Sequence, residues 1–212
     1  MFERDLYTEN PEIYMRLFIA LELNDDVVER ISSIQDKLRS GDFDIKLVER
    51  ENLHLTLKFL GEVDESEIGR IERLISESLE DFHAFTLSFH GIGYFGSGGR
   101  VNVIWAGVKE GSRDFVGLAK ALEERLSYIR KEEREPSPHL TIARVKSGRN
   151  VHRLSREVDS LRDVKVGEVR VKEIRLKKSV LAPQGPVYSD VKAFPLLEGR
   201  RQDSPSIEKR VG

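Results

Sequence analysis

The chain has 212 residues, 39% hydrophobic and 34% charged, with a formal net charge of −2 and a pI near 6.3. This is the composition of one globular domain, or of two small closely packed lobes, and it excludes a protein that coats nucleic acid through bulk positive charge. There is no cysteine, which excludes disulfides, thiolate metal sites and cysteine nucleophiles and fits a reducing, cytoplasmic setting, and no apolar run approaches the ~18 residues of a membrane span.

In chain order, residues 1–14 are polar and acid-containing, so they are expected to be a poorly ordered extension, with Met15 as the functional start. The first strand pattern covers 16–23, and Asn24 can cap a helix with Val27, Ile31, Ile34 and Leu38 on one face. A second strand pattern covers 53–60. Asp64 followed by Glu67 reads as an acidic capping box ahead of Ile68, Ile71, Ile75 and Leu79. Strands at 85–89 and 101–108 come next, then a helix capped by Ser112 with Phe115, Ala119, Leu122 and Leu126 inward. A strand at 139–145 leads to a weaker helix through Val151, Leu154, Val158 and Leu161. An interrupted strand run at 166–181 and a last strand at 187–194 follow. Residues 199–212 are again polar and expected to be poorly ordered.

The order strand, helix, strand, helix, strand occurs twice. In each half the second strand opens alike, His54-Leu55-Thr56-Leu57 and His139-Leu140-Thr141-Ile142, with the histidines 85 residues apart. Leu17 precedes His54 by 37 residues and Val101 precedes His139 by 38. This duplication predicts an α+β fold: two pseudo-symmetric lobes, each an antiparallel sheet with helices on one face, around a central cleft. The expected unit is a single bilobal domain over 15–195, acting as a monomer. Its lobe repeats lie near 15–90 and 100–195, with exchange of strands between them left open. Charge is uneven: 139–178 holds twelve Lys/Arg against five Asp/Glu, and 61–81 holds two against eight. That is either a basic patch facing an acidic one or two solvated faces.

Strand alternation puts His54, Thr56 and Lys58 on one face and Leu55, Leu57 and Phe59 on the other. His139, Thr141 and Ala143 repeat the arrangement. If both polar faces line one cleft, it holds two imidazoles and two hydroxyls. Opening a cyclic phosphodiester needs a base for water and an acid for the departing ribose oxygen, and two histidines supply both near neutrality. Thr56 and Thr141 can donate to the non-bridging phosphate oxygens. No metal or other cofactor is required. His83, His90 and His152 lack the threonine partner and read as surface or packing residues. Lys58 faces the cleft by alternation and either draws in substrate phosphates or is a solvated rim lysine. Phe95, in the glycine-rich stretch 91–99, either stacks a base or anchors the loop.

At these residues the sequence resembles the 2H phosphoesterase superfamily, and more narrowly the RNA 2′,3′-cyclic phosphodiesterase family, also catalogued as 2′–5′ RNA ligase. The resemblance rests on Met15-Arg16-Leu17-Phe18-Ile19-Ala20, on Glu51-Asn52-Leu53-His54-Leu55-Thr56-Leu57-Lys58-Phe59-Leu60-Gly61 and on Val103-Ile104-Trp105-Ala106-Gly107-Val108. It continues through Pro138-His139-Leu140-Thr141-Ile142-Ala143-Arg144 to Leu181-Ala182-Pro183-Gln184-Gly185-Pro186-Val187-Tyr188. It implies metal-independent hydrolysis of RNA 2′,3′-cyclic phosphate ends to 2′-phosphates, with His54 protonating the 3′ oxygen and His139 activating water. Spacing alone leaves that division open. The resemblance also implies that Arg144 holds the phosphate, although simple alternation turns Arg144 away from His139 unless the strand ends or bulges there. Reversible ligation of tRNA halves would proceed without ATP, since no triphosphate-binding loop of the G-x-x-x-x-G-K-[ST] type is present. Alternative readings are another 2H reaction, on 2′–5′ linkages or small cyclic nucleotides, and a non-catalytic RNA-end binder.

Overall fold

β1 (Tyr14–Leu21) sends Leu17, Ile19 and Leu21 into the core on alternate positions, and Phe18 and Ala20 between them are buried too, so from Leu17 onward both faces of the strand are covered. The structure is a computed structural model that describes residues 14–199 apart from 184; the expected extensions otherwise lie outside the described residues. α1 (Asp25–Ser40) starts where the Asn24 side chain accepts from the Val27 amide at 3.1 Å, and it buries Val27, Ile31, Ile34 and Leu38 as their spacing predicts. The three-residue β2 (Ile45–Leu47) and β3 (Leu55–Asp64) follow. Asp64 does cap, but it accepts from the Ser66 amide at 2.7 Å and opens a short 3₁₀ turn ahead of α2 (Ile68–Ser78).

β4 (Phe85–Phe95) runs six residues past its expected end, through Gly91 and Gly93, before β5 (Val103–Glu110). In α3 (Ser112–Leu126) the cap position is Gly111, at φ 77°, and not Ser112. The Ser112 hydroxyl instead donates back to the Val108 carbonyl at 3.1 Å. β6 (His139–Val145), α4 (Val151–Ser160), β7 (Lys165–Val171), β8 (Glu173–Ala182) and β9 (Gly185–Pro195) complete the chain, the long run at 166–181 dividing at Lys172.

Among the described residues all pairs of these strands are antiparallel and form two sheets, ordered β3-β1-β8-β9 and β2-β6-β5-β4-β7. Each sheet draws on both halves of the sequence: β4 crosses over to flank β5, and β8 crosses over to flank β1. The helices cross too. α1 packs on β6 and β7 of the second sheet, while α3 packs chiefly on β3 of the first and also touches β5 of the second. α1 approaches β7 so closely that a Cβ on Gly167 would lie 2.9 Å from Val27 Cγ2. One continuous apolar core joins both sheets and all four helices. No helix among the described residues is long and apolar enough to cross a membrane.

Candidate active site

The register of the two histidine strands carries the site. On β1 and β3, Leu21 faces Leu55 and Ala20 faces Thr56, but Ile19 faces Lys58, so Leu57 is an extra residue in a bulge. On β5 and β6, Ala106 faces Leu140 and Trp105 faces Thr141, but Ile104 faces Ala143, so Ile142 is the extra residue. Each bulge falls three residues after its histidine, and the burial from Leu55 to Phe59 is the same as from Leu140 to Arg144.

The bulges correct one expectation and resolve another. Lys58 is turned off the His54/Thr56 face: it is 2% exposed and donates to Glu123 Oε2 and, at 2.7 Å, to the Arg130 carbonyl. It ties β3 to α3 and the segment beyond, away from the histidines. Phe59, 49% exposed, takes the next place on that face. On β6 the same displacement brings Arg144 round to the side of His139 and Thr141, where it is exposed.

Both imidazoles are held alike. His54 Nδ1 lies 2.7 Å from the Asn52 carbonyl and His139 Nδ1 lies 2.7 Å from the Ser137 carbonyl. A carbonyl oxygen only accepts, so each Nδ1 carries the hydrogen and each Nε2 is left for chemistry. His54 Nε2 is 3.1 Å from the Thr56 hydroxyl.

Their surroundings differ. The His54 ring centroid is 5.0 Å from that of Phe18 and 5.3 Å, edge-on, from that of Tyr188. Burial among these rings lowers the His54 pKa below its ordinary value; the Asn52 hydrogen bond and the charge of Glu22 oppose that, and Lys177 reinforces it. His139 meets the edge of Phe95 at 4.9 Å, and Phe95 lies 5.3 Å from Trp105. Phe95 thus ends β4, 41% exposed, beside the second histidine. Trp105 stands opposite Thr141 and covers Gly93, where a Cβ would fall 2.5 Å from the indole; its Nε1 is buried and has no hydrogen-bond partner among the described residues.

Contacts between the sheets draw the two histidine strands together. β3 touches β6 across the sheets, and within the first sheet Asn52 Nδ2, just ahead of β3, donates to the Pro186 carbonyl of β9 at 3.0 Å. Tyr188, on the first sheet beside His54, feels the charge of Arg144 on the second: burial raises its phenol pKa and the guanidinium opposes the rise. Lys46 of β2 stands opposite Arg144, and a Cβ on Gly185 would lie 3.1 Å from its Nζ. Lys46 and Tyr188 are the additions the sequence reading missed. Tyr188 closes one of the quoted stretches, which is a signal; Lys46 sits in a strand too short to show a period.

An ion network centred on a buried lysine lies beside Phe18. Lys177, opposite Phe18 on β8 and 8% exposed, bonds to Glu22 and, at 2.8 Å, to Asp190. Asp190 also bonds to Arg175, which holds Glu173 at 2.6 Å. Burial works against the charge on Lys177, but the two carboxylates outweigh it and keep its pKa above the ordinary value. Among the described residues no cluster of three or more His, Asp or Glu side chains is placed to hold a metal ion. His83 lies at the isolated bridge to Leu197, His90 on β4 and His152 in the first turn of α4, none of them with the pair.

A sequence profile described as the 2′-5′ RNA ligase superfamily matches residues 23–180. A curated RNA 2′,3′-cyclic phosphodiesterase of Methanothermobacter thermautotrophicus is 39% identical over 185 residues, covering 86% of this chain and 99% of the relative. The enzyme of the same name from Archaeoglobus fulgidus is 39% identical over 181 residues, covering 85% and 99%. Among solved structures, a Thermus thermophilus protein superposes with a TM-score of 0.72 at 31% identity, over 86% of this chain and 98% of that one. E. coli LigT in complex with NADP+ superposes at 0.67 with 25% identity, over 86% and 98%. The two antiparallel sheets and four helices are those of the LigT-like structures. The chain belongs to the 2′-5′ RNA ligase superfamily and, within it, to the family of RNA 2′,3′-cyclic phosphodiesterases.

Proposed function

We propose that this protein hydrolyses 2′,3′-cyclic phosphate ends on RNA, those of tRNA halves included, to 2′-phosphates without a metal ion. Residues 15–195 then work as one bilobal unit whose sheets enclose the site. The observation that carries the reading is the matched pair of histidines. Each has Nδ1 bound to the carbonyl two residues back, each is followed by a threonine and then a bulge, and each offers only Nε2. The relatives of 38–39% identity that bear the phosphodiesterase name support it.

In the proposed step, neutral His139 Nε2 takes a proton from water as its oxygen bonds to phosphorus. The bond from phosphorus to the 3′ oxygen breaks on the far side. Protonated His54 Nε2–H gives its proton to that oxygen, and the phosphate stays on the 2′ oxygen. The ring hydrogens are then the reverse of their starting state, and exchange with solvent restores them. Thr56, Thr141 and Arg144 donate to the non-bridging oxygens, whose charge persists throughout. Burial works against a charged His54 in the empty site. A phosphate anion within about 4–6 Å of the ring favours the charged form, so the substrate itself arms the acid. Phe95, beside His139, offers its exposed ring to a base. With a 5′-hydroxyl in place of water as the nucleophile, the same step forms a 2′–5′ linkage without ATP, and its reversal, attack by the 3′-hydroxyl, opens that linkage again.

The direct test is hydrolysis of a 2′,3′-cyclic nucleotide in excess EDTA. Turnover to the 2′-phosphate is expected to be unchanged by the chelator. Activity lost to EDTA and restored by zinc or manganese overturns the metal-free reading, and binding without turnover would make the protein an RNA-end binder.

A further inference from the structure

Lys46 belongs to two places at once. It stands opposite Arg144 at the site, and it lines a groove of about 680 Å³ between the C-terminal half of α1 and the β2 edge. That volume lies within the range of ligand clefts, roughly 300–1,000 Å³, and so suits a stretch of chain better than a single ion. Charged residues in its lining are Arg39, Lys46, Arg50 and Lys146 against Asp36 and Glu49, an excess of two positive charges on a chain whose net charge is −2. The ion pairs of Arg39 and Arg50 are open to water. Arg39 meets Asp36 at 2.7 Å and Arg50 meets Glu29 at 3.6 Å, but every partner is at least half exposed. Exposed pairs of this kind are worth about 0–1 kcal/mol, so exchanging a carboxylate for a phosphate meets little resistance.

We propose that this groove is a second, non-catalytic RNA-binding site that holds the sugar–phosphate backbone upstream of the cyclic end. The inference rests on the RNA-end reading of the catalytic site. Arg144 takes the reacting phosphate, Lys46 stands between the site and the groove, and Arg39, Arg50 and Lys146 take phosphates further back. Such contacts position a strand without reading its sequence, so the groove selects for length of RNA and not for base identity. It also reconciles an acidic protein with a polyanionic substrate, because the positive charge is placed along one path.

The test compares a 2′,3′-cyclic mononucleotide with a short oligoribonucleotide bearing the same end, using the full chain and the variant R39A/R50A/K146A. The oligonucleotide is expected to show the higher kcat/KM with the native chain. The variant is expected to lose about tenfold on the oligonucleotide, nearly all of it in KM, while its rate on the mononucleotide stays unchanged and so certifies the fold. The dependence of log kcat/KM on log salt for the oligonucleotide is expected to flatten by about 2, at roughly 0.7 per lost phosphate contact on a single strand. Equal kcat/KM for the two substrates, or a variant that affects both or neither, overturns the groove while leaving the hydrolysis intact. A native chain inactive on the mononucleotide overturns the catalytic reading and the groove with it.

Discussion

Leu57 of β3 and Ile142 of β6 are equivalent: each is the unpaired residue of a bulge, three positions after its histidine. The two insertions break alternation at the same point. They send Lys58 and Ala143 inward and bring Phe59 and Arg144 onto the histidine faces. The duplication is therefore kept in the backbone, while its side chains diverge just past the bulge, Lys58 against Ala143 on the inward side and Phe59 against Arg144 on the histidine face.

That divergence separates two basic residues by the kind of damage their loss causes. Arg144→Ala is expected to lower kcat/KM about 10- to 100-fold, the worth of a hydrogen bond to a charged group, with stability unchanged. Lys58→Ala removes the buried partner of Glu123 and of the Arg130 carbonyl. It is expected to lower unfolding free energy by about 1–3 kcal/mol, because Glu123 keeps some access to water, while kcat/KM per folded molecule holds. Denaturant titration and steady-state kinetics on the two variants decide it, and a kinetic loss in Lys58→Ala without a stability loss contradicts this placement.

His54→Ala and His139→Ala are each expected to lower turnover by roughly 10²–10⁴-fold. The double variant is expected to be little worse than either single one, because an acid and a base that act in the same step fail together. Full additivity in a double-mutant cycle would show that the two rings act separately.

The lowered pKa of His54 gives stability a sign with pH. In the unfolded chain the ring titrates at about 6.5. The folded site binds that proton less readily, so folding is disfavoured as pH falls. The penalty is absent well above 6.5, grows as pH drops through about 6.5, and is complete below the folded pKa. Denaturant midpoints measured from pH 8 downward are expected to fall more for the native chain than for His54→Gln. A native chain that gains stability over that range relative to the variant reverses the assignment.

What was legible in the sequence was whatever had a period or a repeat. The four amphipathic helices were visible in their apolar spacing, and the two His-x-Thr strands in their shared wording. Alternation then misplaced Lys58, because no residue at 57 announces a bulge; the extra residue is set by pairing with β1, a long-range fact. Three residues of β2 carry no pattern, so Lys46 was not seen. β4 ran on through Gly91 and Gly93, which read as loop, because Gly93 leaves room for the Trp105 indole. The crossing of β4 and β8 between sheets was open for the same reason: which strand a third strand pairs with is decided by packing and not by local propensity.

The most direct test of the acid–base pair compares a 2′,3′-cyclic nucleotide with a nitrophenyl phosphodiester, whose leaving group departs without a proton. If His54 is the acid, His54→Ala is expected to recover much of its loss on the nitrophenyl ester, while His139→Ala, still lacking the base for water, stays impaired on both. Recovery of His139→Ala in its place would contradict the division of roles, and recovery of neither variant would contradict general acid catalysis by this pair.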